Sequence, residues 1–144
     1  MYFLSNYIRF KKELKKYDAA KARFDKKPVP PNTVEAHDCG DLQQYHRESE
    51  EFYEWHRLIL TDYYKGRTRE LFVEMPSLNE EDNYQKVDFD SDPREPKYLT
   101  DAGLRKVRAS IREELKHRRE ASGYWIAAVV GLIGSLTGLA SVLK

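Results

Sequence analysis

The last stretch of the chain constrains its folding most. Tyr124 to Leu143, YWIAAVVGLIGSLTGLASVL, runs for 20 positions without a charge, and 14 of them are apolar. As a helix this segment spans about 30 Å at ~1.5 Å per residue, the hydrocarbon thickness of a bilayer. Nine Ile, Val and Leu residues favour insertion, at roughly 0.3 to 0.6 kcal/mol each, less what the Gly, Ser and Thr positions subtract. A buried helix of a water-soluble domain would look similar, but residues 1 to 123 hold only 44 apolar residues, too few to enclose 20 residues apolar on every side. The sequence therefore predicts a single C-terminal transmembrane helix over 124–143.

The flanks give an orientation. Arg112, Lys116, Arg118 and Arg119 precede the span, Tyr124 and Trp125 stand where an interfacial aromatic pair is expected, and only Lys144 follows. The positive-inside bias places residues 1–123 in the cytoplasm, with a bacterial cytoplasmic membrane as the preferred setting. The start, MYFLSNYIRFKKELKK, has no apolar run of signal-peptide length, which agrees with that placement. Within the span Ala127, Gly131 and Ser135 are four apart, as are Gly134 and Gly138. Small residues at that spacing let two helix backbones approach closely, so the expected state is a homo-oligomer in lipid. No Asp, Glu, Lys, Arg or His lies inside the span, so an ion path is not indicated.

The net charge of +1 conceals alternating blocks. Residues 1–27 carry nine Lys/Arg against three Asp/Glu, residues 28–100 eight against 17, and residues 101–123 seven against four. In the first block Phe3, Tyr7, Phe10, Leu14, Tyr17 and Phe24 recur at three- and four-residue spacing, with Lys21 the one exception, which predicts an amphipathic helix over 3–27. Pro28, Pro30 and Pro31 cannot continue it. After a loop to Gly40, a second helix is expected from Asp41 to Lys65, stopped by Gly66, with Leu42, Tyr45, Phe52, His56, Ile59 and Tyr63 on one stripe and Glu48, Glu50, Glu51 and Glu54 outside. A basic and an acidic helix of matching stripe predict an antiparallel pair, set in register by charge and held by packing.

Residues 69–75, RELFVEM, suit a strand that could pair with Gln85 to Phe89 across an acidic connection, or form a folded loop. Thr100 is the expected N-cap of a third helix, whose Leu104, Val107, Ile111 and Leu115 form a narrow apolar seam. With no proline after Pro96, that helix is expected to run almost unbroken from Asp101 to Leu143, with Gly123 as a hinge position. The expected fold class is mainly α: a helical head with short strands or loop over 1–100, a basic juxtamembrane helix over 101–123, and the transmembrane helix.

Chemistry-bearing motifs do not assemble. His37, Cys39, His46 and His56 fit no zinc spacing, and the one cysteine permits no intramolecular disulfide. Asp88, Asp90 and Asp92 imitate the start of a calcium loop, but Pro93 stands where glycine is needed and Leu99 where glutamate should be. No phosphate-binding glycine loop or nucleophile elbow occurs, so no enzyme, metal or cofactor is expected. The order strand, turn, strand, helix over 69–108 is similar to the wing of winged-helix proteins, yet Glu80, Glu81 and Asp82 in the turn would repel phosphate, and nucleic acid is not an expected partner. The expected function is a non-enzymatic adaptor, regulator or assembly partner, anchored in lipid and facing a protein partner that the sequence does not identify. A membrane-active effector of the toxin or lysis type and a soluble helical oligomer are the alternatives.

Overall fold

A computed structural model of the 144-residue chain describes the backbone of residues 2–87 and 96–142, and the side chains of 4–87 and 96–133. Four helices and one pair of short strands follow in the order α1 (Tyr2–Phe24), α2 (Val34–Asp38), α3 (Asp41–Leu71), β1 (Tyr84–Lys86), β2 (Lys97–Leu99) and α4 (Asp101–Val142), with a 3-10 turn at Glu81–Asn83. The protein is thus mainly helical with one small antiparallel sheet.

The aromatic stripes predicted on the first two helices meet, and in the antiparallel sense. Phe10 packs on Tyr63, Tyr17 on Phe52, Trp55 and His56, and Phe24 on Tyr45 and Phe52, with ring centroids 4.5 to 6.2 Å apart. Each step down α1 is matched by a step up α3. Lys21, the break in the stripe, is accommodated because its ammonium lies 5.2 Å from the Phe24 ring centre and 6.0 Å from that of Phe52, over their electron-rich faces. Arg9–Asp62 at 2.8 Å and Lys27–Glu48 at 2.5 Å link the basic helix to the acidic one near either end.

Three boundaries differ from expectation. α1 ends at Phe24, a turn before the prolines, as Asp25 and Lys27 close on Lys21 and Phe24 carbonyls. The predicted loop contains the single-turn helix α2, which Thr33 caps by accepting the Ala36 N–H. Gly66 does not stop α3, which continues to Leu71. Gly66 serves instead as a point of close approach: a Cβ there would overlap the Asn6 side chain, whose amide donates to the Tyr63 carbonyl at 3.3 Å.

Residues 69–75, expected as a strand or a folded loop, form no strand and are only in part a loop. The first three complete α3, Phe72 caps that helix in the left-handed conformation (φ 58), and residues 73–77 are irregular. β1 pairs with β2 rather than with this segment, Tyr84 opposite Leu99 and Lys86 opposite Lys97. Apolar burial decides this outcome, since Leu71 joins the core with Leu99, Leu104, Val107 and Ile111, and Val73, Met75 and Tyr84 pack against it. Of the predicted 85–89 strand, residues 88 and 89 lie outside the described residues.

Thr100 caps α4 as predicted, its hydroxyl accepting the Gly103 N–H at 3.2 Å. The predicted seam of α4 is buried at Leu104, Val107 and Ile111 and emerges at Leu115, which is 37% exposed. From there α4 runs without a break through Gly123 to Val142. Among the described residues no helix is long and apolar enough to cross a membrane. Of the predicted span, only 124–133 have described side chains; 134–142 are described as helical backbone, and Leu143 lies outside.

Candidate functional site

The far half of α4 carries the longest run of exposed apolar side chains among the described residues. α3 and α4 run side by side and parallel, because contacts step forward along both: the Arg57 guanidinium donates to Asp101 at 2.6 Å, the Arg108 Nε to the Tyr64 hydroxyl at 2.8 Å, and the Arg118 guanidinium to the Leu71 carbonyl at 2.7 Å. α3 ends at Leu71, and α4 continues past it into its apolar stretch. Tyr124, Trp125, Ile126, Val129, Val130, Leu132 and Ile133 are all exposed, from 55% at Val129 to 79% at Tyr124. Ala127 and Gly131 are likewise exposed, and a Cβ at Gly131 would meet open space. Gly134, Ser135 and Gly138 fall in the part of α4 whose side chains are not described.

The four cations that precede the apolar stretch, Arg112, Lys116, Arg118 and Arg119, divide into two pairs. Lys116 faces Glu120 at 3.8 Å, and Arg118 is held by Glu114 at 2.6 Å as well as by the Leu71 carbonyl, so Arg118 closes the C-terminal end of α3. Arg112 and Arg119 make no ion pair among the described residues. Arg112 instead lines a cleft of about 680 Å³ between α3 and α4, with Tyr63, Tyr64, Arg67, Arg105 and Arg108 around it. Sequence reasoning did not single out Arg105 and Arg108. Their signal was present in the three- and four-residue spacing of 105, 108 and 112, which puts three guanidinium groups on one helix face.

A buried polar seam fixes how α4 leaves the head. Thr61 accepts the Leu99 N–H at 2.8 Å and donates to the Arg57 carbonyl at 2.8 Å, fastening β2 to α3. Arg57, 8% exposed, also donates to the Tyr53 hydroxyl at 2.8 Å, and its hydrogen bond holds the Asp101 carboxyl below the usual range. Asn83 accepts the Thr100 N–H through its carbonyl at 3.0 Å and donates to the Ser77 carbonyl at 2.9 Å, while its buried side-chain oxygen has no hydrogen-bond partner among the described residues. The links from Thr61 to Leu99, from Arg57 to Asp101 and from Asn83 to Thr100 were not visible in the sequence, since each joins positions that no local period connects, whereas Tyr53, Arg57 and Thr61 stand four apart on one face of α3.

The chemistry-bearing side chains are dispersed. His37 bonds Asn32 at 3.2 Å, Cys39 is exposed at the end of α2, His46 sits beside Tyr45, and His56 stacks on Tyr17 at 5.1 Å. Among the described residues no three His, Cys, Asp or Glu gather as a metal site would require. Asp88, Asp90 and Asp92 lie outside the described residues. No known protein family, no curated protein and no solved structure matches this chain.

Proposed function

We propose that this protein is a small, non-enzymatic adaptor or assembly partner held in a bilayer by the C-terminal half of α4, with the helical head on the cytoplasmic side and self-association through the face that carries Ala127, Gly131, Gly134, Ser135 and Gly138. The observation that carries the reading is the exposure of every described large apolar side chain from Tyr124 to Ile133 on a helix that continues to Val142. An apolar surface of that kind requires a cover, and lipid provides one on all sides at once. The uncharged sequence to Leu143 gives the segment the length of a hydrocarbon core. The polar seam at Arg57, Thr61 and Asn83 gives α4 a fixed exit from the head, so an anchored α4 would hold the head at the membrane surface.

Induced expression of the full chain tests this function against the alternatives. The adaptor accumulates in the membrane fraction of cells that grow and keep their membrane potential. Depolarised or dying cells would assign the protein to the membrane-active effectors, and accumulation in the soluble fraction would point to a helical oligomer burying 124–143 between copies.

A further inference from the structure

We infer that the end of the head from which α4 departs is itself a lipid-contacting surface, with Phe72 inserted into the headgroup layer of a bilayer containing anionic lipid. The inference rests on the anchoring reading above and adds a second point of attachment to it. Because α3 runs parallel to α4, the C-terminal end of α3 points toward the apolar half of α4. The Leu71 carbonyl is held by Arg118, six residues before Tyr124. Six residues are about 9 Å of helix, close to the depth of one interfacial layer, and the ordinary tilt of a membrane helix brings one side of the head nearer still.

Phe72 occupies this position in an unusual way. It is 92% exposed, the highest value among the large apolar side chains of the described residues, and the one non-glycine residue there with positive φ. Glycine is the ordinary occupant of a left-handed helix cap, since a side chain there is strained. Within the head the phenyl ring has almost no packing to offset that strain. An aromatic ring at the headgroup level has a favourable environment, as the Trp and Tyr belts of membrane proteins do. α1, antiparallel to α3, brings its first turns to the same end: Asn6 lies against Gly66, and Leu4 is 65% exposed one half-turn earlier. Arg69 and Arg119, both exposed and without a carboxylate partner among the described residues, supply the charge that favours anionic headgroups.

The test uses the full chain reconstituted into phosphatidylcholine–phosphatidylglycerol vesicles. Phe72→Trp is placed in a Trp55→Phe, Trp125→Phe background, so that the new indole is the only one, and a spin label is attached to the lipid headgroup. Leu78→Trp in the same background is the control. Leu78 is exposed as Phe72 is, but it lies on the turn that Glu80 ties to Lys106, about 27 Å of α4 before Tyr124 at ~1.5 Å per residue. The inference predicts vesicle flotation, a blue-shifted emission from the Phe72→Trp variant that the headgroup label quenches, and unquenched emission from the Leu78→Trp control. Flotation with a solvent-exposed, unquenched indole at position 72 overturns the inference and leaves the anchor standing. Equal quenching of both variants overturns it as well, since the head would then lie flat on the bilayer. Failure to float removes the anchor and the inference together.

Discussion

Thr61 joins β2 to α3 with one hydroxyl, accepting from the strand and donating back into the helix while 2% exposed. Thr61→Val keeps the shape but leaves the Leu99 N–H buried without an acceptor, which should cost about 1 to 3 kcal/mol of stability, read by urea denaturation. An unchanged midpoint would mean that the strand is held by packing alone. Burial keeps the His56 imidazole below its ordinary 6.5, the Arg57 charge adds to the shift, and Asp18 opposes it. The native state therefore binds fewer protons at this site than the unfolded chain, so the stability contribution is intact above 6.5 and is lost as pH falls through the depressed native value. His56→Phe, which retains the stack on Tyr17, should flatten that acid-side slope in denaturation curves measured on either side of 6.5. An unaltered slope would place the acid sensitivity elsewhere. The aromatic stripe, the boundary position of His56 and the Thr100 cap were legible because period and capping are local signals. The Thr61 latch, 38 residues from its donor, was not.

The elements were legible where one apolar face dominates and misread where a glycine or a β-rich run pointed the other way. Gly66 and RELFVEM both suggested that α3 ends early, yet the close approach of Asn6 and the burial of Leu71 carry the helix past them. Gly103 has the same character on α4, where a Cβ would overlap the Asn83 carbonyl and crowd Leu99. Gly103→Ala should thus destabilise the head by about 2 kcal/mol through overpacking, although alanine is the better helix former by ~1 kcal/mol, and thermal melting gives the sign. A stabilised variant would show that the 3-10 turn yields readily. In the apolar half of α4, Gly134→Leu together with Gly138→Leu should weaken self-association in a membrane two-reporter assay. Association equal to the parent would remove that face as the interface.

At the scale of the molecule, the charge blocks and the apolar terminus foretold a basic helix on an acidic one and a long final helix, and the structure has both. The arginine cleft between α3 and α4 was not foreseen, because it needs the parallel pairing that β2 and the polar seam impose. Orientation is open to direct measurement through Cys39, the only cysteine and an exposed one. A membrane-impermeant maleimide should leave Cys39 unmodified in intact cells and label it once they are permeabilised, and labelling of intact cells would reverse the assignment. On the proposed reading, α4 beyond Ser122 holds the protein in lipid. Alkaline carbonate extraction of membranes from cells expressing the full chain, beside a chain ending at Ser122, tests it most directly. The full chain should stay in the pellet and the shortened one should be soluble, and release of the full chain into the supernatant would show that α4 does not anchor it.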